Sequence, residues 1–185
     1  MVRVIGPKDK RDPHAINTTS RSNNWSKGLS PFYLGPIKLY GPHESKNFEN
    51  AWQFTKVYKE HADADGNPTD EYFKWAKEGW ATERAFRYPM GKGKKPLYSL
   101  WDGEHLSYVD ARKKIYVPLY SAAVARTDAF QHLKQVYSAL GEVTLWDFDG
   151  YDHRALGMTY EQVVDCPTRK CGHAFVLAMM LEGVM

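Results

Sequence analysis

Residues 48–58 read FENAWQFTKVY, and the way this stretch folds decides how the rest of the chain is read. Phe48, Ala51, Trp52 and Val57 follow helical spacing, which predicts a helix over about 47–61 with Ser45 as its N-cap. On that helix Glu49, Gln53 and Lys56 stand at i, i+4 and i+7 and project from one face. A carboxylate, an amide and an amine in one stripe can be a solvated surface. They can also line a pocket, where burial lowers the amine's pKa toward the nucleophilic range and leaves the carboxylate able to stabilise developing positive charge. Phe48, Trp52 and Phe54 leave little else of the helix polar, and this adds weight to the pocket reading.

Outward from this helix, the chain alternates short β-like runs with longer helical ones. Residues 1–15 are charged, contain Pro7 and Pro13, and read as a loosely ordered arm, with one domain over 16–185. Residues 16–21 are strand-like, 22–36 (SNNWSKGLSPFYLGP) form a structured loop, and 37–40 a short strand. Thr69 or Asp70 caps a second helix carrying Phe73, Trp75 and Trp80, and MGKGKKP at 90–96 is a basic loop. A helix over 104–125 is expected to be interrupted at Pro118, and another over 129–140 to stop at Gly141. EVTLWDF (142–148) alternates like a strand and leads into the loop DGYDHRALG (149–157), and GHAFVLAMMLEGV (172–184) closes the chain as a buried helix. The expected class is α+β: a mainly helical single domain with a small β-sheet.

Composition narrows the function classes. A 185-residue chain with 43% hydrophobic and 25% charged residues has the make-up of one soluble domain with a proper core. The net charge of +3 is compatible with a phosphate-bearing partner without requiring one. No apolar run reaches membrane-spanning length and the first residues lack a signal-peptide core, so no membrane association is expected. Two cysteines give no disulfide framework and point to a reducing cytoplasm. The aromatics, 6 Trp, 12 Tyr and 8 Phe, build cores and also provide walls for flat ligands.

Other motifs are weighed against their structural alternatives. LSPFYLGPI (29–37) reads as a rigid loop of the kind that carries ligand contacts. TLWDFDGYDH (144–153) brings Asp147, Asp149 and Asp152 into a turn after a strand, without the downstream ligand of a calcium loop; DADGN (63–67) lacks it too. Cys166, Cys171 and His173, with His153 as a fourth ligand, have looser spacing than a structural zinc site, and reduced, packed thiols are preferred. Lys92, Lys94 and Lys95 can reach phosphates or remain solvated. No Walker loop, dinucleotide fingerprint or GxSxG elbow is present, and no metal or cofactor is expected.

Three separated segments, in order, resemble the NADAR/YbiA-like N-glycosidases. Leu29-Ser30-Pro31-Phe32-Tyr33 is similar to that family's L-S-N-F-Y loop, with Pro31 in place of Asn. Glu49-Asn50-Ala51-Trp52-Gln53-Phe54-Thr55-Lys56 matches E-H-A-x-Q-x-x-K except that Asn50 replaces His. Trp101 falls where the family has a Trp, Asp147 stands in for a Glu, and Tyr151-Asp152 match the final Y-D pair. The Trp-Gly after that Asp is missing, and the terminal G-x-N-x-x-G signature has become Gly172-His173 and an apolar run.

The resemblance implies a YbiA-like fold and hydrolysis of a ribose C1–N bond. The expected substrate is ADP-ribosylated guanine in nucleic acid, single-stranded DNA being the easier form to reach, in reversal of a toxin's modification by a defence system or a phage. The alternatives are cleavage of a phosphorylated ribosylamino-pyrimidine and a non-catalytic module that binds ADP-ribose or modified DNA. In this scheme Glu49 is the electrostatic stabiliser or general base, and Asp152 the second carboxylate with Asp147 next in line. Lys56 holds a phosphate or hydroxyl, or attacks an opened ribose as a Schiff base. Trp101 and Phe32 stack on a base, Ser30, Tyr33 and Gln53 position hydroxyls, and Lys92 and Lys94 meet phosphates. No obligate protein partner is expected.

Overall fold

A computed structural model describes residues 1–185. In chain order it contains strands β1 (Val2–Ile5), β2 (Ile16–Asn17), β3 (Ile37–Lys38) and β4 (Glu44–Ser45), helix α1 (Phe48–Gln53), β5 (Lys56–Val57) and helix α2 (Asp70–Ala81). Then come β6 (Tyr98–Trp101), β7 (Glu104–Leu106), helices α3 (Tyr108–Ala111), α4 (Val117–Val124) and α5 (Asp128–Leu140), β8 (Val143–Trp146), α6 (Tyr160–Asp165) and α7 (His173–Glu182). This is one α+β domain in which helix outweighs strand, about 39% to 14%. No helix is long and apolar enough to cross a membrane.

The first residues depart from the expected arm. Val2–Ile5 form a strand parallel to β8, with Val2 opposite Val143 and Ile5 opposite Trp146, and Val2 and Val4 are fully buried. The charged residues at 8–12 hide this run from a reading by composition. Four residues, three of them β-branched and one charged, suffice when β8 supplies a partner for the backbone. β8 also pairs in parallel with β2, so the sheet order is β1-β8-β2 and all three strands end at one edge. Loops leaving the carboxyl ends of parallel strands are where ligands bind in open sheets. Here those loops carry Thr19–Arg21 and Asp147–Asp149.

The main core lies between this sheet and the last helix. α7 is buried along almost its whole length, with Phe175, Val176, Leu177 and Ala178 inaccessible, and it packs on β1 and α4. Gly172 enters α7 where a side chain would not fit: a Cβ there would lie 2.1 Å from Asp147 Oδ2. A smaller cluster of Phe54, Tyr72, Ala76, Trp80 and Leu100 fills the space between α2 and the antiparallel β5-β6-β7 sheet.

Several boundaries differ from the periodicity. α1 runs only from Phe48 to Gln53 and its N-cap is Asn47, whose side chain accepts the Asn50 N–H; Ser45 lies in β4. The chain leaves the helix because Phe54, Thr55, Val57 and Tyr58 are aromatic or β-branched, and Lys56–Val57 pairs with Ser99 and Tyr98 instead. The expected break at Pro118 is absent. A π-helical turn, Arg112–Tyr116, joins α3 to α4, and Pro118 sits in the first turn of α4, where a missing N–H is tolerated. Glu104–Leu106, expected in that helix, is strand. α6 was not anticipated, although Thr159 and Gln162 form a capping box at its start. The start of α2 after Thr69 and the left-handed stop of α5 at Gly141 (φ 72) agree with the sequence, and the Thr127 side chain caps α5 by accepting the Phe130 N–H.

Candidate active site

Glu49, Gln53 and Lys56 meet one cavity of about 750 Å³, in the upper part of the range usual for ligand sites. Its other walls come from the 30–32 loop, the carboxyl ends of β2 and β8, the 87–96 segment, the π-helical turn and the start of α7. Two backbone bonds seat the loop on α1: Phe48 donates its N–H to the Leu34 carbonyl (2.7 Å) and Glu49 to that of Pro31 (3.0 Å). These are donors that the first turn of a helix cannot satisfy itself, so the loop caps the helix carrying Glu49. Ser30 and Phe32 reach the cavity on the same loop.

The expected stripe is realised as a hydrogen-bonded chain across the end of the helix. Gln53 Nε2 donates to Glu49 Oε1 (2.9 Å), and Lys56 Nζ donates to Gln53 Oε1 (2.7 Å). The amide therefore has only one orientation, and it holds the carboxylate and the amine apart while joining them. Lys56 Nζ also lies 4.9 Å from the Trp52 ring centroid. Burial pushes the Glu49 carboxyl above its ordinary value, against the opposing pull of Gln53 and Lys56. It pushes Lys56 down to about 8, against the attraction of Glu49. Both shifts have the sign expected where desolvation outweighs pairing.

Asn50, where the resembled family has His, faces away from the cavity and has a scaffold role. Its Nδ2 donates to the carbonyls of Gly79 (3.0 Å), Thr82 (3.1 Å) and Arg84 (2.9 Å), and its Oδ1 accepts the Phe86 N–H (2.8 Å). Fully buried, it fixes the segment that delivers Arg87 and Tyr88 to the cavity wall.

Asp147 is the second carboxylate on the cavity. His173 holds it through Nδ1 (3.2 Å to Oδ2), and the His173 Nε2 lies 2.8 Å from the Thr18 carbonyl. A carbonyl can only accept, so Nε2 carries a proton. Asp147 Oδ2 also accepts the Ala174 N–H at 3.4 Å, at the start of α7. Asp149 receives Arg87 Nη2 and Lys170 Nζ on one oxygen, each at 2.9 Å.

Arg112 lines the cavity and is 1% exposed, yet forms no ion pair. Its Nη1 donates to the carbonyls of Val163, Val164 and Cys166, at 2.8–3.1 Å, and its Nη2 to that of Arg169 (2.8 Å). The guanidinium thus closes the end of α6 and ties down the loop leading to Lys170. Cys171, beside it, is buried and its thiol is pushed up to about 12, so it is inert. Tyr116 lines the same wall, its hydroxyl held protonated by burial.

Three expected site residues stand elsewhere. Asp152 binds Arg3 Nε (2.8 Å) and accepts the Ala155 N–H (3.1 Å), outside the cavity, because β1 lies alongside β8 and brings Arg3 to it. Trp101, at the end of β6, packs edge-on against Tyr40 with ring centroids 5.0 Å apart. Tyr33 is 55% exposed and turns to the opposite side of its loop, under Lys27 Nζ at 4.8 Å. Lys92 and Lys94 do lie on the cavity rim, Lys94 in an ion pair with Glu60. Arg21, Arg87, Arg112, Asp149, Lys170 and His173 as a cavity residue were missed. The one signal among them was Asp149, which lies with Asp147 in the acidic turn after the expected strand. Cys166 and Cys171 are free thiols, and no group of three or more His, Cys, Asp or Glu side chains is arranged to hold a metal.

Comparison with known proteins gives one family. A model described as a family of unknown function, DUF6939, matches residues 8–154, and the chain belongs to that family. The matched span ends before α6 and α7, and so before Lys170 and His173. No curated protein and no solved structure matches the chain.

Proposed function

We propose that this DUF6939 member is an N-glycosidase that cleaves a ribose C1–N bond, removing ADP-ribose from guanine in DNA, as its resemblance to the NADAR/YbiA-like enzymes implies. The observation that carries this reading is Glu49: a carboxylate only 7% exposed, held by one amide, on the wall of a cavity whose remaining walls are rich in cations and aromatic rings. A desolvated carboxylate of this kind stabilises the positive charge that develops at C1 far more than a solvated one does.

In the proposed reaction the C1–N bond breaks with its electron pair leaving on the guanine nitrogen, which takes up a proton. Water adds its oxygen to C1 and gives a proton to Glu49. Lys56, mostly protonated at neutral pH with a pKa of about 8, supplies the proton to the departing nitrogen. Asp147 takes the place expected for Asp152, as a second carboxylate on the cavity wall, with His173 Nδ1 3.2 Å from it. Phe32 gives a flat surface beside Ser30 on the loop that caps α1, and the free lysines of the 92–95 loop suit an approaching nucleic-acid backbone.

The test is incubation with a single-stranded oligonucleotide bearing ADP-ribosylated guanine. Free ADP-ribose and unmodified oligonucleotide are expected products. Glu49→Gln is expected to lower turnover by about 10³-fold, roughly 4 kcal/mol of barrier, with substrate binding retained. Absence of ADP-ribose release under all conditions removes the proposal. Release that is indifferent to oligonucleotide length and salt moves it to a small ribosylamino substrate.

A further inference from the structure

We infer that the cavity holds a diphosphate against the wall built by Arg21, Arg87 and Lys170 around Phe148, and that the lysine loop at 92–95 is not the anion site. The inference rests on the proposed function only for the sugar that such a diphosphate would carry.

Phe148 leaves the end of β8, and Arg21 follows the end of β2, so the parallel pairing of these strands brings them together at the carboxyl edge of the sheet. The Arg21 guanidinium carbon lies 5.0 Å from the Phe148 ring centroid and that of Arg87 lies 5.5 Å from it. Packing on a ring orients a guanidinium while leaving its N–H edge free, which is the arrangement that grips phosphate oxygens in pairs. Arg87 and Lys170 share a single carboxylate oxygen of Asp149, and Arg21 has no acidic partner. Three cations with one carboxylate between them leave two positive charges over. The other acids of the cavity are engaged elsewhere, Glu49 by Gln53 and Asp147 by His173 and the start of α7. All four side chains line the cavity that Glu49 lines. A wall with two surplus charges and fixed donor forks suits a ligand that brings two negative charges on adjacent phosphates.

The loop offers less. Lys94 is occupied by Glu60, and Lys92 and Lys95 are exposed point charges flanking Gly91 and Gly93, both in left-handed conformations (φ 99 and 89) with open space around them. Unlike Arg21 on its ring and Lys170 on Asp149, these two lysines are held by no partner, so they attract anions at long range without fixing an orientation.

The experiment is calorimetric titration of the full chain with inorganic pyrophosphate and with inorganic phosphate at 0.1 M salt. Pyrophosphate is expected to bind at least about 10-fold more tightly than phosphate, about 1.4 kcal/mol. Arg21→Gln, at an exposed side chain with no hydrogen bond in the fold, is expected to weaken pyrophosphate at least about 10-fold, and Lys170→Gln to weaken it in the same direction. Lys92→Gln/Lys95→Gln is expected to change it less than about 2-fold, and Glu49→Gln to leave it intact. The inference fails if pyrophosphate does not bind, if it binds no better than phosphate, or if the loop double variant loses as much as Arg21→Gln. Turnover is read separately. Hydrolysis without this binding pattern overturns the anion site and leaves the glycosidase, whereas the binding pattern without hydrolysis does the reverse.

Discussion

Arg112 and Lys56 are both sunk into the wall of one cavity, both are cations, and neither meets a carboxylate within ion-pair distance. They differ in how they are solvated by the protein. Arg112 gives its protons to four backbone carbonyls, whereas Lys56 has one amide oxygen and the face of Trp52. The first arrangement replaces water nearly completely. The second leaves a charge short of partners, and this shortfall drives the lysine's pKa down to about 8. Satisfaction, more than burial or charge, separates scaffold from chemistry here, and Asn50 belongs on the scaffold side for the same reason.

The largest expected effect tests the scaffold half of that contrast. Arg112→Met keeps most of the side-chain volume but leaves the carbonyls of Val163, Val164, Cys166 and Arg169 buried without a donor. At 1–3 kcal/mol for each unsatisfied group, partly relieved by water, a loss of about 3–5 kcal/mol is expected. In a domain of this size that lowers the melting temperature by roughly 10 °C or more. A variant that melts with the wild type would mean that these carbonyls are served by water and that Arg112 is free to act on a ligand.

Lys56→Met tests the other half and should move in the opposite direction. The folded protein holds the Lys56 proton less tightly than the unfolded chain, whose lysine titrates near 10.5. Below about pH 8 the desolvated ammonium therefore costs stability, and that cost disappears as pH rises from about 8 toward 10.5. Replacing it with a neutral chain of similar shape should stabilise the fold by about 1–2 kcal/mol at pH 7, the gain shrinking to nothing above about pH 10. Denaturation of both proteins across that range measures it. Turnover on the modified oligonucleotide should collapse in the same variant. In the wild type, turnover should fall above about pH 8 as Lys56 loses the proton it donates, and a rise through pH 8 would reassign Lys56 as a neutral nucleophile.

How much of this was legible in sequence follows from the same physics. Elements that declare themselves locally were readable: α5 up to its stop at Gly141, α2 after Thr69, the apolar run of α7 and the alternation of β8. Glu49, Gln53, Lys56, Ser30 and Phe32 were reachable because a few turns of one segment bring them together. Arg87, Arg112, Lys170 and His173 were not, since each is an isolated charge whose place depends on packing between distant parts of the chain. β1 was misread because its four residues form a strand only by virtue of β8, 141 residues away in the register of Val2 with Val143. A local signal could not have contained that partner.

The smallest expected effect concerns the carboxylate that sequence placed in the site and tertiary structure did not. Asp152 lies outside the cavity, because the turn at Gly150 carries it past the cavity wall and β1 presents Arg3. The Gly150 N–H closes that turn on the Asp147 carbonyl (3.1 Å), which leaves Asp147 on the cavity side and Asp152 beyond it. Its ion pair with Arg3 is partly exposed, 42% and 17% for the two side chains, and such pairs contribute under about 1 kcal/mol. Against the upward push of burial, the Ala155 N–H and then Arg3 hold the Asp152 carboxyl below its ordinary value, so what stability the pair gives is present above the ordinary aspartate range and is lost as pH falls through the lowered value. Asp152→Asn should therefore shift the melting temperature by no more than a few degrees and leave turnover within about 2-fold of the wild type. If turnover falls as far as in Glu49→Gln, the paired acids of the site would be Glu49 and Asp152, and the cavity on which Arg112 and Lys56 are compared would not be where the bond is broken.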